Sequence, residues 1–264
     1  MAGAEQLKQT LSGLGVTPNK ALGQNFLIDE TAISDIVRCA GPAGKTVLEV
    51  GPGLGALTGP LCKSAHRVVA VEKDGAMAEA LRALLPDKRL TVVTEDFLTA
   101  DVPALLKGEK GFLAVGNLPY YITTPISEKL LCLKPASITL MVQKEAAARY
   151  FAPPGDRVYG PMAVLSQTGY RPRLVREVTR DCFWPQPEVD SAVVQLLRRS
   201  DGPEDMGRFL SFLKRAFAMR RKTLYNNLKS EENLLPALEA LGVSPGVRAE
   251  ALPPETLYGI YTRL

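Results

Sequence analysis

The sequence predicts an α/β protein, with an open and mainly parallel sheet covered by helices on both faces and a smaller all-helical domain behind it. Three observations predict this fold class. Apolar runs of strand length alternate with stretches of helical apolar spacing from residue 46 onward, which is typical of parallel strands joined by helices. A glycine-rich segment follows the first of these runs. After residue 199 only helical spacing remains.

The elements of the sheet follow from their patterns in order. Short apolar runs predict five strands, at residues 46–50, 67–72, 90–94, 112–115 and 138–142. Helical spacing between them predicts helices, at 57–64, 75–85 and 125–133. Two later runs, 174–178 and 191–197, are joined through Pro185 and Pro187. We expect this pair to close the far edge of the sheet as an antiparallel addition.

The composition of the chain changes at residues 200–203, where Ser, Asp, Gly and Pro follow one another. Such a run predicts a linker. Beyond it, helical spacing covers 206–219, 222–228 and 234–241. We therefore expect one domain over residues 1–200, including an N-terminal arm, and a helical domain over 201–264.

Charge is unevenly distributed along this chain, whose formal net charge is only +4. One basic cluster lies within nine residues free of acids, and a second is broken only by Glu177. The two clusters are Lys214, Arg215, Arg220, Arg221 and Lys222, and Arg171, Arg173, Arg176 and Arg180. Concentrated positive charge on a nearly neutral chain favours an anionic polymer as partner, although solvated surface faces would give the same pattern.

Several classes of protein are disfavoured by composition. The chain has one histidine, His66, and four widely spaced cysteines without a C-x-x-C pair, so we expect no metal site, no disulfide framework and no histidine-based triad. Its apolar stretches are shorter than the roughly 18 residues of a membrane span, and residues 1–10 carry no signal pattern. We expect a soluble, cytoplasmic protein without a membrane partner, and a monomer.

The glycine-rich segment predicts a nucleotide-type ligand. Gly51, Gly53 and Gly55 follow the first strand and precede a helix, where the open sheet places a ligand. With Ala56 the segment fits the dinucleotide pattern G-x-G-x-x-A, and Glu72 ends the second strand. The glycines alone leave a nicotinamide cofactor and S-adenosylmethionine equally open.

Acidic residues at three strand ends favour S-adenosylmethionine. Glu49 stands just before the glycines, where a carboxylate would repel a pyrophosphate but serve the amino group of a methionine moiety. Glu72 is suited to ribose hydroxyls. Asp96 follows the third strand and is suited to accept a hydrogen bond from the adenine amine of the cofactor.

The tetrapeptide Asn117, Leu118, Pro119 and Tyr120 follows the fourth apolar run. It offers an amide oxygen, backbone carbonyls and an aromatic face within four residues, because proline biases the preceding residue toward extended backbone and has no N–H. Such a set suits a flat base held by its exocyclic amine. An ordinary turn is the alternative interpretation, since Asn and Pro are common in turns.

With these residues in view, the chain resembles the small-subunit ribosomal RNA adenine dimethyltransferases, the KsgA family, over nearly its whole length. The matching segments are 20–27, 48–58, 117–120, 143–150, 159–160, 183–194 and 220–224. The resemblance implies a Rossmann-like class I S-adenosylmethionine-dependent methyltransferase domain and a helical C-terminal domain that contributes to RNA binding. It also implies dimethylation of N6 of two adjacent adenosines near the 3′ end of 16S rRNA, with a role in ribosome biogenesis.

Residue roles follow from matching position for the cofactor site and from residue chemistry for the base and the phosphates. Asn25 and Leu27 are expected to line the cofactor site with Glu49, the three glycines, Glu72, Asp96 and Asn117. Asn117 and the Leu118 carbonyl are expected to accept the N–H groups of the target amine, and Tyr120 and Phe183 to stack on the base. Phosphate-binding residues are expected at Lys20, Arg220, Arg221 and Lys222. Tyr121 departs from the smaller polar residue of many relatives.

Three alternatives stay open at this stage. The large-subunit rRNA adenine methyltransferases that confer macrolide resistance share the glycine loop and the Asn-x-Pro-aromatic turn. A ribosome assembly or transcription factor would keep the fold and the RNA surface without catalysis. A nicotinamide oxidoreductase would explain the glycines alone. The segments 183–194 and 220–224 favour the small-subunit family.

Overall fold

The computed structural model describes residues 2–19 and 22–264, apart from the side chain of Ala2. The strands, in chain order, are β1 Phe26–Leu27, β2 Thr46–Val50, β3 Arg67–Glu72, β4 Leu90–Thr94, β5 Leu113–Asn117, β6 Ser137–Gln143, β7 Tyr170–Val178, β8 Phe183–Trp184 and β9 Ser191–Arg198.

The α-helices, in chain order, are α1 Ala2–Gly13, α2 Glu30–Ala40, α3 Thr58–Ser64, α4 Gly75–Leu84, α5 Val102–Leu105, α6 Thr123–Leu133, α7 Lys144–Phe151, α8 Pro161–Gly169, α9 Met206–Ala216, α10 Leu224–Leu228, α11 Leu234–Ala240 and α12 Pro254–Tyr261. Short 3₁₀ turns occur at Tyr120–Ile122, Arg180–Cys182 and Ala249–Ala251.

Seven strands form one sheet in the order β4-β3-β2-β5-β6-β9-β7. The pairs β2–β3, β2–β5, β3–β4 and β5–β6 are parallel. Parallel strands end at the same edge, so the loops after β2, β3, β4 and β5 gather on one side of the sheet. The predicted strands and the alternation with helices are confirmed, and the two late strands join the far edge as expected; the direction of their pairing stays a prediction.

Central strands are buried on both faces, which explains their near-continuous apolar sequence. All five residues of β2 are buried, and so are the last five of β3. The edge strand β4 is more exposed. Helices cover this sheet: α2 contributes Ala32 and Ile36 to a cluster with Val47 of β2 and Val115 of β5.

A separate two-stranded ladder joins the N-terminal segment to the β8 segment. β1 pairs antiparallel with β8, with Phe26 opposite Trp184 and Leu27 opposite Phe183. Helix α1 packs its apolar face on the same region, since Leu7 and Leu11 belong to a cluster with Phe26. Neither this ladder nor α1 was predicted from the sequence.

Contacts divide the chain into two units that do not follow the expected boundary. The first unit comprises residues 1–130, 135–144 and 174–195, and the second comprises 131–134, 145–173 and 196–264. Within the second unit α8 packs against α9 and α12, and Phe209 of α9 contacts Tyr258 of α12 with ring centroids 5.3 Å apart. In this division α7 and α8 group with the C-terminal helices. The boundary expected at residue 200 stays a prediction.

Candidate active site

A cavity of about 510 Å³ lies at the carboxyl edge of the sheet. Its walls come from the ends of β2, β3 and β5, the loop after β4, the segment around β1, and helix α1. The structure brings together eleven of the twelve residues expected to bind cofactor or act in catalysis. They are Asn25, Leu27, Glu49, Gly51, Gly53, Gly55, Glu72, Asp96, Asn117, Leu118 and Tyr120.

The glycine loop has backbone that other residues rarely adopt. Gly51 has a φ of 66° and Gly55 a φ of 89°, and both values lie in the left-handed region that glycine enters without steric penalty. A Cβ on Gly55 would lie 2.6 Å from Leu81 Cδ1 and 2.7 Å from Leu85 Cδ1. Glycine at 55 therefore permits close packing of the loop on α4, while Gly51 turns the chain at the cavity wall.

Glu72 fixes this loop through its carboxylate. One oxygen, Oε2, accepts from the Gly53 N–H at 3.0 Å, and Oε1 accepts from the Asp74 N–H at 2.9 Å. Burial raises the pKa of Glu72 despite these two opposing hydrogen bonds. Each carboxylate oxygen can accept more than one donor, so ribose hydroxyls can still bond to it.

Glu49 is the most unusual ionisable group in the cavity. Its side chain is 1% exposed, and Oε2 has no hydrogen-bond partner among the residues that the structure describes. Burial raises the pKa of Glu49 to about 8 against the effect of the neighbouring Thr58 hydroxyl, and the charge of Glu72 raises it further. Glu49 is therefore mostly protonated at neutral pH when no ligand is bound, and a cationic ligand group beside its unpartnered oxygen would favour the ionised form.

Asp96 is already oriented by the protein. Its Oδ1 accepts from the Leu98 N–H at 2.9 Å, and its Oδ2 pairs with Lys73 Nζ at 2.9 Å. The hydrogen bond from Lys73 lowers the pKa of Asp96. The carboxyl group is therefore ionised at neutral pH, and both of its oxygens act as hydrogen-bond acceptors.

The Asn117 amide has a defined orientation. Its Nδ2 donates to the Asn25 carbonyl oxygen at 3.1 Å. A carbonyl accepts but never donates, so the nitrogen must face Asn25 and Oδ1 is left to accept. The Leu118 N–H donates to the Met141 carbonyl at 3.0 Å, and among the described residues no donor reaches the carbonyl oxygen of Leu118.

Two tyrosines follow this turn. The hydroxyl of Tyr120 shares a hydrogen bond with the Ser191 hydroxyl at 2.8 Å, which fixes the ring at the cavity. Burial raises the pKa of Tyr120, so its hydroxyl stays neutral. Tyr121 is 57% exposed. Its ring lies close to Gly23, because a Cβ added to that glycine would be 3.5 Å from the Tyr121 ring. A smaller side chain at 121 would leave this side of the cavity more open.

Phe183 does not line the cavity, and its expected stacking role stays a prediction. It is buried, with 3% exposure, in the cluster that contains Leu27, Ile36 and Val193. It pairs with Leu27 in the β1–β8 ladder, and this position gives no support to contact between its ring and a base. Among the aromatic candidates, Tyr120 is the one that lines the cavity.

The expected phosphate-binding residues lie in the turn between α9 and α10. Arg220, Arg221 and Lys222 are all exposed there, and Arg220 Nη1 donates to the Arg157 carbonyl at 2.7 Å. No ion pair of Arg221 or Lys222 occurs in the described part of the chain. Lys20 lies outside the described residues.

The cavity also contains residues that the sequence reasoning missed. Gln6, Leu7 and Thr10 of α1 line it, and the i, i+4 spacing of Leu7 and Leu11 is the signal that predicts this helix. Lys73 and Lys129 orient the Asp96 loop through contacts distant in sequence. No pattern of local spacing reveals such contacts.

The donor set fits S-adenosylmethionine. The unpartnered Glu49 oxygen suits the ligand ammonium, Glu72 suits the ribose, and Asp96 suits the adenine amine. Across residues 2–19 and 22–264, no cluster of three or more His, Cys, Asp or Glu is arranged to hold a metal ion. Nor does any described helix combine the length and the apolar character that crossing a membrane requires.

Fold and cavity together define a class I methyltransferase. The structure superposes with a TM-score of 0.67 on 23S rRNA methyltransferase ErmE, at 30% identity, with 90% of this chain and 99% of that chain covered. A dimethyladenosine transferase from Plasmodium falciparum gives a TM-score of 0.73 at 23% identity, covering 88% of this chain and 94% of that one.

Sequence comparison identifies the family. The model of the family described as "Ribosomal RNA adenine dimethylase" matches residues 15–264. The ribosomal RNA small subunit methyltransferase A of Geobacillus thermodenitrificans is 40% identical over 264 residues, with 93% of this chain and 90% of that protein covered. The chain belongs to the ribosomal RNA adenine dimethylase family. The predictions of family, fold class and enzyme class are confirmed.

Proposed function

We propose that this enzyme uses S-adenosylmethionine to dimethylate N6 of two adjacent adenosines near the 3′ end of 16S rRNA, in the assembling small ribosomal subunit. We further propose that it works as a monomer in the cytoplasm. One observation carries the chemistry: Asn117 Nδ2 is bonded to the Asn25 carbonyl, which leaves Asn117 Oδ1 as an acceptor beside the Leu118 carbonyl at the cavity wall.

Cofactor binding is assigned to the acidic strand ends and the glycine loop. Glu49 receives the ammonium group, Glu72 the ribose hydroxyls and Asp96 the adenine amine, while Gly51, Gly53 and Gly55 allow close approach of the backbone. Asn25 and Leu27 complete the wall. When bound, the cofactor supplies a methyl group activated by its positively charged sulfur.

The catalytic task of the protein is to prepare a poor nucleophile. The lone pair of an adenine amine is delocalised into the ring. When Asn117 Oδ1 and the Leu118 carbonyl accept its two N–H groups, they favour a pyramidal nitrogen with an available lone pair. This stabilisation increases toward the transition state, and positioning supplies much of the remaining rate. No strong base is required, because the proton leaves after the nitrogen has become cationic.

Tyr120 is assigned to the face of the target base. Stacking on an aromatic side chain contributes about 1 to 3 kcal/mol per base, which offsets part of the few kcal/mol needed to flip a base out of its stack. The Ser191 hydroxyl holds the Tyr120 ring in place. Arg221 and Lys222, with Arg220 and Lys20, are assigned to rRNA phosphates.

The test is a methylation assay with labelled S-adenosylmethionine on unmethylated small subunits, followed by mapping of the modified nucleotides. We expect four methyl groups on two adjacent adenosines near the 3′ end. Isolated large subunits provide the comparison substrate, since the chain is 30% identical to ErmE. Label on large subunits alone would contradict the proposed substrate, and equal background label from wild type and Asn117→Ala would contradict catalysis.

A further inference from the structure

Lys129 forms an unusual set of contacts on the cofactor side of the fold. Its ammonium nitrogen, Nζ, donates to the carbonyl oxygens of Phe97 at 2.7 Å, Leu98 at 3.1 Å and Ala100 at 2.7 Å. An ammonium group has three N–H donors, so all three are used on one loop. Nζ also lies 5.0 Å from the centroid of the Phe97 ring.

These contacts matter because the loop carries Asp96. The Phe97 carbonyl and the Leu98 N–H belong to the same planar trans peptide and point in opposite directions. Lys129 holds the carbonyl end at 2.7 Å, and Asp96 Oδ1 holds the N–H end at 2.9 Å. Rotation of this peptide would break both bonds, so Lys129 restrains the group that orients the Asp96 carboxylate.

The loop has few substitutes for this support. Among the described residues, no backbone N–H donates to the carbonyl of Phe97 or of Leu98. Burial lowers the pKa of Lys129, while the charges of Glu95, Asp96 and Asp101 oppose this effect. A side chain of equal length without donors would leave both carbonyls free to turn toward solvent.

Lys129 belongs to the helix that begins where the catalytic turn ends. The 3₁₀ turn Tyr120–Ile122 leads directly into α6 at Thr123, and Ile126, one turn before Lys129, lines the same cavity as Phe97 and Asp96. The bonds from Lys129 therefore connect the loop after β4 to the helix that follows the Asn117 turn.

We propose that Lys129 is a positioning residue for cofactor recognition: by holding the peptide between Phe97 and Leu98, it fixes Asp96 in the orientation that selects a 6-aminopurine. The proposal rests on the proposed function of Asp96 as acceptor for the adenine amine. In this role Lys129 contacts neither the methyl group nor the target base.

The test compares two ligands on two proteins. Isothermal calorimetry measures the affinity of S-adenosylhomocysteine and of its analogue with hydrogen in place of the adenine amine. Wild type is expected to prefer the amino form at least about tenfold, as for a hydrogen bond to a charged group. In Lys129→Met the preference is expected to fall below about threefold, with the affinity for the analogue unchanged.

Arg82→Met is the matched control, because Arg82 donates to the strand that precedes this loop, β4, at Val92 O and Thr94 Oγ1, both at 2.9 Å. It is expected to keep the wild-type preference. An equal loss of affinity for both ligands in Lys129→Met would overturn the proposal, and so would full retention of the preference. Failure of both Lys129→Met and Lys129→Gln to fold would also overturn it, since the residue would then support the whole domain.

Failure of the underlying assignment gives a different result. If wild type itself binds both ligands equally well, Asp96 does not recognise the adenine amine, and the proposed cofactor orientation is wrong. If wild type discriminates and Lys129→Met discriminates equally, only the positioning role is wrong.

Discussion

Asn117 donates from Nδ2 to the carbonyl oxygen of Asn25 at 3.1 Å, across 92 residues of sequence. This bond connects the end of β5 to the segment that leads into β1. Because it uses the amide nitrogen of Asn117, it leaves the amide oxygen, Oδ1, to accept a hydrogen bond. The Asn25 side chain is itself fixed by a 3.2 Å hydrogen bond from its Nδ2 to the Gly23 carbonyl. The segment around β1 therefore orients the proposed catalytic amide.

Replacing Asn117 by Ala is expected to lower kcat by roughly 100- to 1,000-fold, the usual cost of removing one group that stabilises developing charge. Single-turnover methylation of small subunits measures the effect, with cofactor affinity recorded on the same samples. Ser137→Ala, a buried position on the neighbouring strand β6, is the control and is expected to keep near-normal kcat. A fall of less than about threefold in Asn117→Ala would contradict a catalytic role for the amide.

Two substitutions of Tyr120 distinguish the contribution of ring stacking from that of the hydroxyl hydrogen bond. Tyr120→Phe loses the bond to Ser191 and is expected to lower the free energy of unfolding by about 1 kcal/mol while keeping most activity. Tyr120→Ala also loses the ring and is expected to lower kcat/KM by about 5- to 150-fold, as a stacking contribution of about 1 to 3 kcal/mol implies. Urea unfolding and steady-state methylation measure the two quantities. Equal activity of the Phe and Ala variants would exclude stacking by this ring.

The raised pKa of Glu49 predicts proton release on cofactor binding. Below its folded pKa of about 8, the carboxyl group is protonated in the ligand-free enzyme. An ammonium group beside it favours the ionised form, so binding lowers the pKa and expels the proton. Affinity for S-adenosylhomocysteine should therefore rise with pH until about pH 8 and then level off as the carboxyl group is already ionised.

Calorimetry in two buffers of different ionisation enthalpy measures this release directly. At pH 6.5 we expect about one proton released per ligand bound by wild type, and close to none by Glu49→Gln. Thr58 on α3 and Glu72 on β3 face Glu49, and Cys62 of α3 lies within reach of its charge. Cys62→Ala is therefore the control, expected to release the same proton. Release by Glu49→Gln equal to wild type would assign the proton to another group.

The exposed basic turn predicts a salt-dependent contribution to RNA binding. Each phosphate contact contributes about 0.7 to 0.9 to the slope of log affinity against log salt. Replacing Arg221 and Lys222 by Ala should therefore reduce the slope by about 1.5 and weaken binding to unmethylated subunits. Lys107 and Lys110, two exposed residues elsewhere on the chain, form the matched control pair. An unchanged slope would leave the Arg221 and Lys222 cluster without a phosphate contact.

Local patterns predicted the elements that carry the cofactor. A run of apolar residues predicted strand β2. The glycines after it predicted a ligand-binding loop, because glycine readily adopts backbone that other residues avoid. Glu49, Glu72 and Asp96 were found because parallel strands end at one edge, so acids at the ends of successive strands converge. These predictions depend on spacing along the chain alone.

What the sequence did not reveal depends on contacts between distant segments. Phe183, expected at the base, is buried in the core and pairs with Leu27, so its role at the base stays a prediction. Lys129 bonds to a loop about 30 residues earlier, and its side chain gives no local signal of this. Composition and periodicity describe which face of an element is apolar, not which residue another element brings opposite to it.

The most direct test of the central claim is a crystal structure of the enzyme with S-adenosylhomocysteine and an RNA fragment that contains the target adenosines. We expect the N6 atom of one adenosine to lie within hydrogen-bonding distance of both Asn117 Oδ1 and the Leu118 carbonyl oxygen, with the adenine ring against Tyr120. An adenosine bound in the cavity with both of these oxygens turned away from N6 would contradict it.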